Sequence, residues 1–109
     1  MAGELKHGPI ALIEKDTVVI ALATQPNVAQ KTISNILETV ARGAKVILIT
    51  SKNQNAEGFD YVIRIPDVDP LFSCIPATVL LQELAYYVAK EKGCDVDKPR
   101  NLAKSVTVE

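Results

Sequence analysis

Thr17-Val18-Val19-Ile20-Ala21-Leu22-Ala23 and Lys45-Val46-Ile47-Leu48-Ile49-Thr50 are the two stretches that decide the fold. Both are short β-branched apolar runs of the kind buried on both faces of a parallel sheet. Between them Thr24-Gln25-Pro26-Asn27 breaks the first run and opens a helix, with Pro26 or Asn27 suited to the first turn. Ala29, Ile33, Ile36, Leu37 and Val40 then recur at spacings of three and four, which gives a helix one apolar face. Arg42-Gly43 places a cation in the last turn and a glycine just beyond it. Strand, amphipathic helix and strand in about thirty residues make a βαβ unit, whose right-handed crossover builds a parallel sheet.

The same reading extends to the rest of the chain. Ser51 to Gly58 is a polar loop with room for a helical turn, and Tyr61-Val62-Ile63-Arg64-Ile65 is a shorter strand stopped by Pro66. A helical pattern runs from about Leu71 to Lys92, with Pro76 near its start and Gly93 as its terminator. The expected fold is α/β, a three-layer αβα arrangement. Its parallel strands lie near 17–23, 45–50 and 61–65, its helices near 27–42 and 71–92, and an extended C-terminal tail follows. Such sheets need both faces covered and their edges protected. Three strands and two helices are therefore only part of a doubly wound domain. Another chain is expected to supply the missing elements, or self-association to cover the edge.

A chain of 109 residues is one domain at most, and 48% hydrophobic residues are enough to build a core. The net charge of −1, with no basic cluster and few aromatics, argues against a nucleic-acid surface. Uninterrupted apolar runs such as Val18–Ala23 are far below membrane-spanning length, and the first residues lack the basic-then-apolar order of a signal peptide. A cytoplasmic protein with no membrane partner is the expectation. Cys74 and Cys94 stand twenty residues apart, at the two ends of one expected helix. At about 1.5 Å of rise per residue they are too distant to bridge. Two reduced thiols acting as small hydrophobes are expected. With one histidine and no paired cysteine motif, neither a metal site nor a cofactor is expected.

Two longer stretches carry more. One is the ending Asp95-Val96-Asp97-Lys98-Pro99-Arg100-Asn101-Leu102-Ala103-Lys104-Ser105-Val106-Thr107-Val108-Glu109; the other is Ala2-Gly3-Glu4-Leu5-Lys6-His7-Gly8-Pro9 at the front. Together they resemble the glucosamine-6-phosphate synthases, the isomerising glutamine:fructose-6-phosphate amidotransferases. The match is to their C-terminal sugar isomerase (SIS) region and covers essentially the whole chain, while the family's enzymes are several times longer. The resemblance implies a partial flavodoxin-like SIS domain over 1–109, single and incomplete, with a catalytic tail at 95–109. It implies fructose 6-phosphate and glucosamine 6-phosphate as ligands, and a homodimer or a complementing upstream fragment as partner.

Residue by residue, the resemblance assigns Lys104 to a Schiff base with the open-chain ketose and sets the backbone of Ala103 beside the sugar. A lysine in that role must be partly desolvated, so that some of it is neutral near pH 7, whereas an ordinary tail lysine is solvated. His7 matches a histidine that assists ring opening at a neighbouring subunit's active site. Imidazole titrates near neutrality and suits proton transfer at a ring oxygen, although a histidine near a chain start is more often simply exposed. The family's isomerisation base and phosphate-binding hydroxyls lie upstream of this chain, so Glu4 is not assigned as a base. Activity of the lone chain is not expected.

Other residues invite plainer readings. Glu4 and Lys6 flank His7 and are placed to orient it or to pair with each other. Thr50-Ser51, at a strand end where doubly wound folds hold ligands, offers hydroxyls for a phosphate, but strand-end capping is the commoner use. Asp67, Asp69, Asp95 and Asp97 suit turns and caps better than a metal cage. Adjacent Tyr86 and Tyr87 should face different sides of their helix, one in the core and one outside. A non-catalytic sugar-phosphate-binding or dimerisation SIS module is the alternative function. A receiver-like or nucleotide-binding protein lacks its glycine-rich or acidic signature here.

Overall fold

The structure, a computed structural model, describes residues 2–100. The chain divides into two compact units, Met1–Ala77 and Thr78–Glu109. In the first unit, 3-10 helices at Ala2–His7 and Pro9–Leu12 lead into strand β1 (Val18–Ala23), helix α1 (Pro26–Val40), strand β2 (Lys45–Ser51) and strand β3 (Tyr61–Ile65). The strands form one parallel sheet in the order β1-β2-β3. Val18 pairs with Lys45 and Ala23 with Thr50, while Ile47 pairs with Tyr61 and Ser51 with Ile65. The expected βαβ unit and all three strands are present.

Pro26 opens α1 where its missing N–H costs nothing, and the carbonyl of Gln25 accepts the first helical hydrogen bonds from Val28 and Ala29. Ala29, Ile33 and Ile36 of α1 form the core with Ala21 and Ala23 of β1, Val46 and Leu48 of β2, and Ala44. Three of these positions are alanine on facing surfaces, so the helix sits close to the sheet. One flank of the expected stripe differs. Leu37 is exposed, while Thr39 is fully buried with its hydroxyl donating to the carbonyl of Ile36 at 2.7 Å. At about 100° per residue, Leu37 and Thr39 lie on opposite flanks of the stripe, and the sheet lies toward the Thr39 side.

Beyond α1 the chain turns at Gly43, whose φ of 89° favours glycine. A Cβ there would also meet the Cα of Lys15 at 3.2 Å. This close approach ties the end of α1 to the start of β1: the N–H of Asp16 donates to the Gly43 carbonyl at 2.8 Å, and Asp16 Oδ1 lies 2.8 Å from Lys45 Nζ. Asp16 itself adopts φ 67°, a conformation that Asp and Asn tolerate better than most residues.

Burial on both faces holds for β2 but not for β1. On the face away from α1, Ile49 and Ile65 are buried, yet Val18, Ile20 and Leu22 are 62%, 42% and 44% exposed. Among the described residues the strand order makes β1 an edge, and α1 covers its inner face alone.

Helix α2 (Cys74–Glu91) begins in the first unit and continues into the second. A 3-10 turn at Pro70–Phe72 precedes it, capped by Asp69, whose carboxylate accepts the N–H of Leu71 at 2.9 Å. The expected helix thus opens as a 3-10 turn, with Pro76 in the first turn of α2. Gly93, at φ 69°, ends it, its N–H donating to the carbonyl of Lys90. The segment Pro70–Glu91 is 22 residues long and apolar enough, by length and composition, to cross a membrane. Counting uninterrupted apolar runs missed it because Gln82 and Glu83 fall in its middle. Tyr86 and Tyr87 do not separate onto two faces. Both are exposed, and their rings meet edge-on with centroids 5.3 Å apart, a favourable aromatic geometry that side-chain torsions reach from adjacent positions. Neither cysteine is in a disulfide, and both are exposed rather than packed as small hydrophobes. Asp95 serves a turn, accepting the N–H groups of Asp97 and Lys98 at 3.0 Å each.

Two outcomes test this packing. Leu48 is wholly buried, so Leu48→Ala is expected to lower the unfolding free energy by about 2–5 kcal/mol in urea denaturation. The hydrogen bond from Lys45 to Asp16, and the attraction between their charges, hold the Lys45 ammonium above its ordinary 10.5. A raised folded value means that this contribution is present at neutral pH and is lost as pH rises through it. The urea midpoint of the parent chain should therefore converge on that of Asp16→Asn above about pH 10.5, and should differ from it below.

Candidate functional site

Parallel strands bring their carboxyl ends to one side of the sheet, where open α/β folds hold ligands. Here those ends frame a crevice of about 230 Å³, lined by Thr24 after β1, Ser51 and Asn53 after β2, Asp67 after β3, and Ser73. Its walls are held by side chains that sequence reading did not single out. Gln25 Nε2 donates to the carbonyl of Pro70 and to Ser73 Oγ, each at 2.8 Å, which ties the β1 end to the turn before α2. Ser73 Oγ also lies 3.3 Å from Thr24 Oγ1 and 2.9 Å from the Pro70 carbonyl. Arg64 Nη1 reaches the carbonyls of Ser51, Lys52 and Gln54 at 3.0–3.1 Å and so fixes the loop after β2. The signal for Gln25 was its place directly after a buried strand; for Arg64 it was a lone cation in an apolar strand.

Of the hydroxyls that line this crevice, those of Thr24 and Ser73 are engaged within the fold, and Thr50 lies outside the lining. Thr50 is fully buried and donates to the Ala23 carbonyl at 2.9 Å, joining the ends of β1 and β2. That is strand-end capping, not a group held ready for phosphate. The lining includes the carboxylate of Asp67 and, among the described residues, no lysine or arginine. This surface therefore suits neutral hydroxyl or amide groups better than a phosphate. Among the described residues, no three His, Cys, Asp or Glu side chains gather as a metal-ligand set.

His7 does not line the crevice. It is exposed at the end of the 3-10 helix Ala2–His7, whose Ala2 and Leu5 pack against the core. Lys6 pairs not with Glu4 but with Glu38 of α1, at 2.7 Å. Glu4 and Lys6 sit two apart on a tight helix and diverge, whereas α1 passes directly beside Lys6. Lys104 and Ala103 lie outside the described residues.

With this geometry in view, the matches to known proteins fall into place. The family model for the SIS domain matches residues 1–88, including β1, α1, β2, β3 and most of α2. The chain belongs to the SIS domain family. It is 56% identical, over 98% of its length, to the isomerising glutamine–fructose-6-phosphate aminotransferase of Clostridium acetobutylicum, and covers 18% of that protein. The corresponding enzyme of Methanosarcina mazei is 50% identical over 99% of the chain, again with 18% of its own length covered. Among solved structures, the C-terminal domain of glucosamine-fructose-6-phosphate aminotransferase from Francisella tularensis superposes with a TM-score of 0.79. That match is 37% identical and covers 89% of this chain and 28% of the other. This SIS chain thus spans less than a fifth of the curated relatives' length.

The role of Arg64 as a loop clamp can be tested directly. Arg64→Met keeps an unbranched stem but removes the guanidinium and its contacts to three carbonyls. Amide exchange in the loop after β2 should quicken by roughly 5- to 30-fold, with exchange in β2 itself unchanged.

Proposed function

We propose that this chain is the isomerase portion of an isomerising glutamine–fructose-6-phosphate aminotransferase. In that reading it serves the formation of glucosamine 6-phosphate from fructose 6-phosphate and glutamine-derived ammonia, as part of a cytoplasmic dimer. The observation that carries the reading is the 56% identity across 98% of the chain to enzymes of that name. Arg100-Asn101-Leu102-Ala103-Lys104 and Leu5-Lys6-His7-Gly8-Pro9 are the stretches on which the assignment of roles rests. The Lys104 amine adds to the C2 carbonyl of the open-chain sugar and expels water to give an imine. His7 passes a proton to or from the ring oxygen as the ring opens, at the site of a neighbouring subunit. Ala103 contributes backbone contacts beside the sugar. The engaged hydroxyls of Thr24 and Ser73 and the negative charge of Asp67 in the crevice support a phosphate grip contributed from outside these 109 residues.

The lone chain is expected to form no glucosamine 6-phosphate from fructose 6-phosphate and ammonia. Mixed with the complementary upstream fragment and treated with fructose 6-phosphate and borohydride, it should gain a reduced sugar adduct at Lys104. The adduct should vanish in Lys104→Arg, which keeps the charge but forms no imine. Turnover by the chain alone would overturn the incompleteness of its site, and absence of the adduct would favour a non-catalytic SIS module.

A further inference from the structure

We propose that Glu38, acting through Lys6, is a positioning residue for His7; the catalytic meaning of this rests on the reading of His7 given above. The 3-10 helix Ala2–His7 has about three residues per turn, so consecutive side chains leave it roughly 120° apart. Leu5, Lys6 and His7 therefore point in three directions. Leu5 is packed against the core, and Lys6 is held by Glu38 at 2.7 Å. With two of the three directions anchored, the third Cα–Cβ direction is determined, and it is the one from which the exposed imidazole extends.

Glu38 is a firm anchor. It lies between buried Ile36 and Thr39 on α1, and its own backbone carbonyl accepts Arg42 Nη1 at 2.7 Å. On the other side of His7 the chain passes into Gly8, at φ 154°, whose N–H reaches the Leu5 carbonyl only at 3.4 Å, a weaker restraint than the ion pair. Without the ion pair the short helix keeps its apolar contacts through Ala2 and Leu5, about which it can roll and carry His7 with it. Both partners are more than a third exposed, and such pairs contribute little to global stability. The role of this pair is therefore orientation.

His7 is the sole histidine of the chain, which makes it its own reporter. In the full chain, residual dipolar couplings of the His7 backbone N–H and Cα–H bonds, referenced to those of α1, should fit one orientation. Glu38→Gln should scale them down by averaging, and the exchange Lys6→Glu with Glu38→Lys should restore them. Unchanged couplings in Glu38→Gln would overturn the proposal, as would failure of the exchange to restore them in a folded chain. In the assembled enzyme, Glu38→Gln should lower kcat roughly two- to fivefold with KM unchanged, again restored by the exchange, the range an exposed ion pair supports. Loss of substrate affinity instead of turnover would also count against it. His7→Asn, measured in parallel, tests the catalytic reading by itself: full activity there would remove the role of His7, while the couplings still decide whether Glu38 orients it.

Discussion

Two parallel neighbouring strands cannot be joined by a tight turn, and in this chain the crossover between β1 and β2 is a single amphipathic helix seated on alanines. Ala21 and Ala23 present little more than backbone to α1, and Ala29 does the same in return, so Ile33 and Ile36 share one buried cluster with Val46 and Leu48. That close seating sets the height of the helix above the sheet. It also sets where the N-terminus of α1 emerges, and hence where Gln25 can reach the Pro70–Ser73 turn. At its other end, the same helix carries Glu38 to the segment that bears His7. Crevice and histidine are thus positioned by opposite ends of one element.

The polar groups around the crevice show how a strand-end surface keeps its shape without a ligand. Thr50 fastens β1 to β2, Gln25 fastens β1 to the following turn, and Arg64 gathers three loop carbonyls that would otherwise depend on solvent. Such a surface is preorganised but chemically quiet.

Much of this was legible in the chain itself. The β-branched runs, the helical stripe and the Arg42-Gly43 stop follow from local chemistry, and each element lies within a few residues of its expected bounds. The resemblance to the amidotransferases, carried by the two terminal stretches, agrees with the family match. What escaped was mostly non-local. An apolar strand reads alike whether it is central or at an edge, so the exposure of Val18, Ile20 and Leu22 depended on a strand order that the pattern does not encode. Lys6 pairs across 32 positions with Glu38, and no short-range rule picks that partner over Glu4. The tyrosines met because torsions override the angular spacing of their Cα atoms. The Lys104 and Ala103 roles rest on the sequence match alone.

The outer side of β1 has a consequence for how the polypeptide behaves in a test tube. Among the described residues, one row of backbone amides and carbonyls along Val18–Ala23 has no neighbouring strand in the sheet, and three branched side chains stand beside it in water. No proline or charged residue interrupts the run, so it lacks the usual devices that keep strand edges from templating one another. Concentration, more than temperature, should then set the limit of the soluble range, and an added lysine at Ile20 would act as a solubility tag built into the fold.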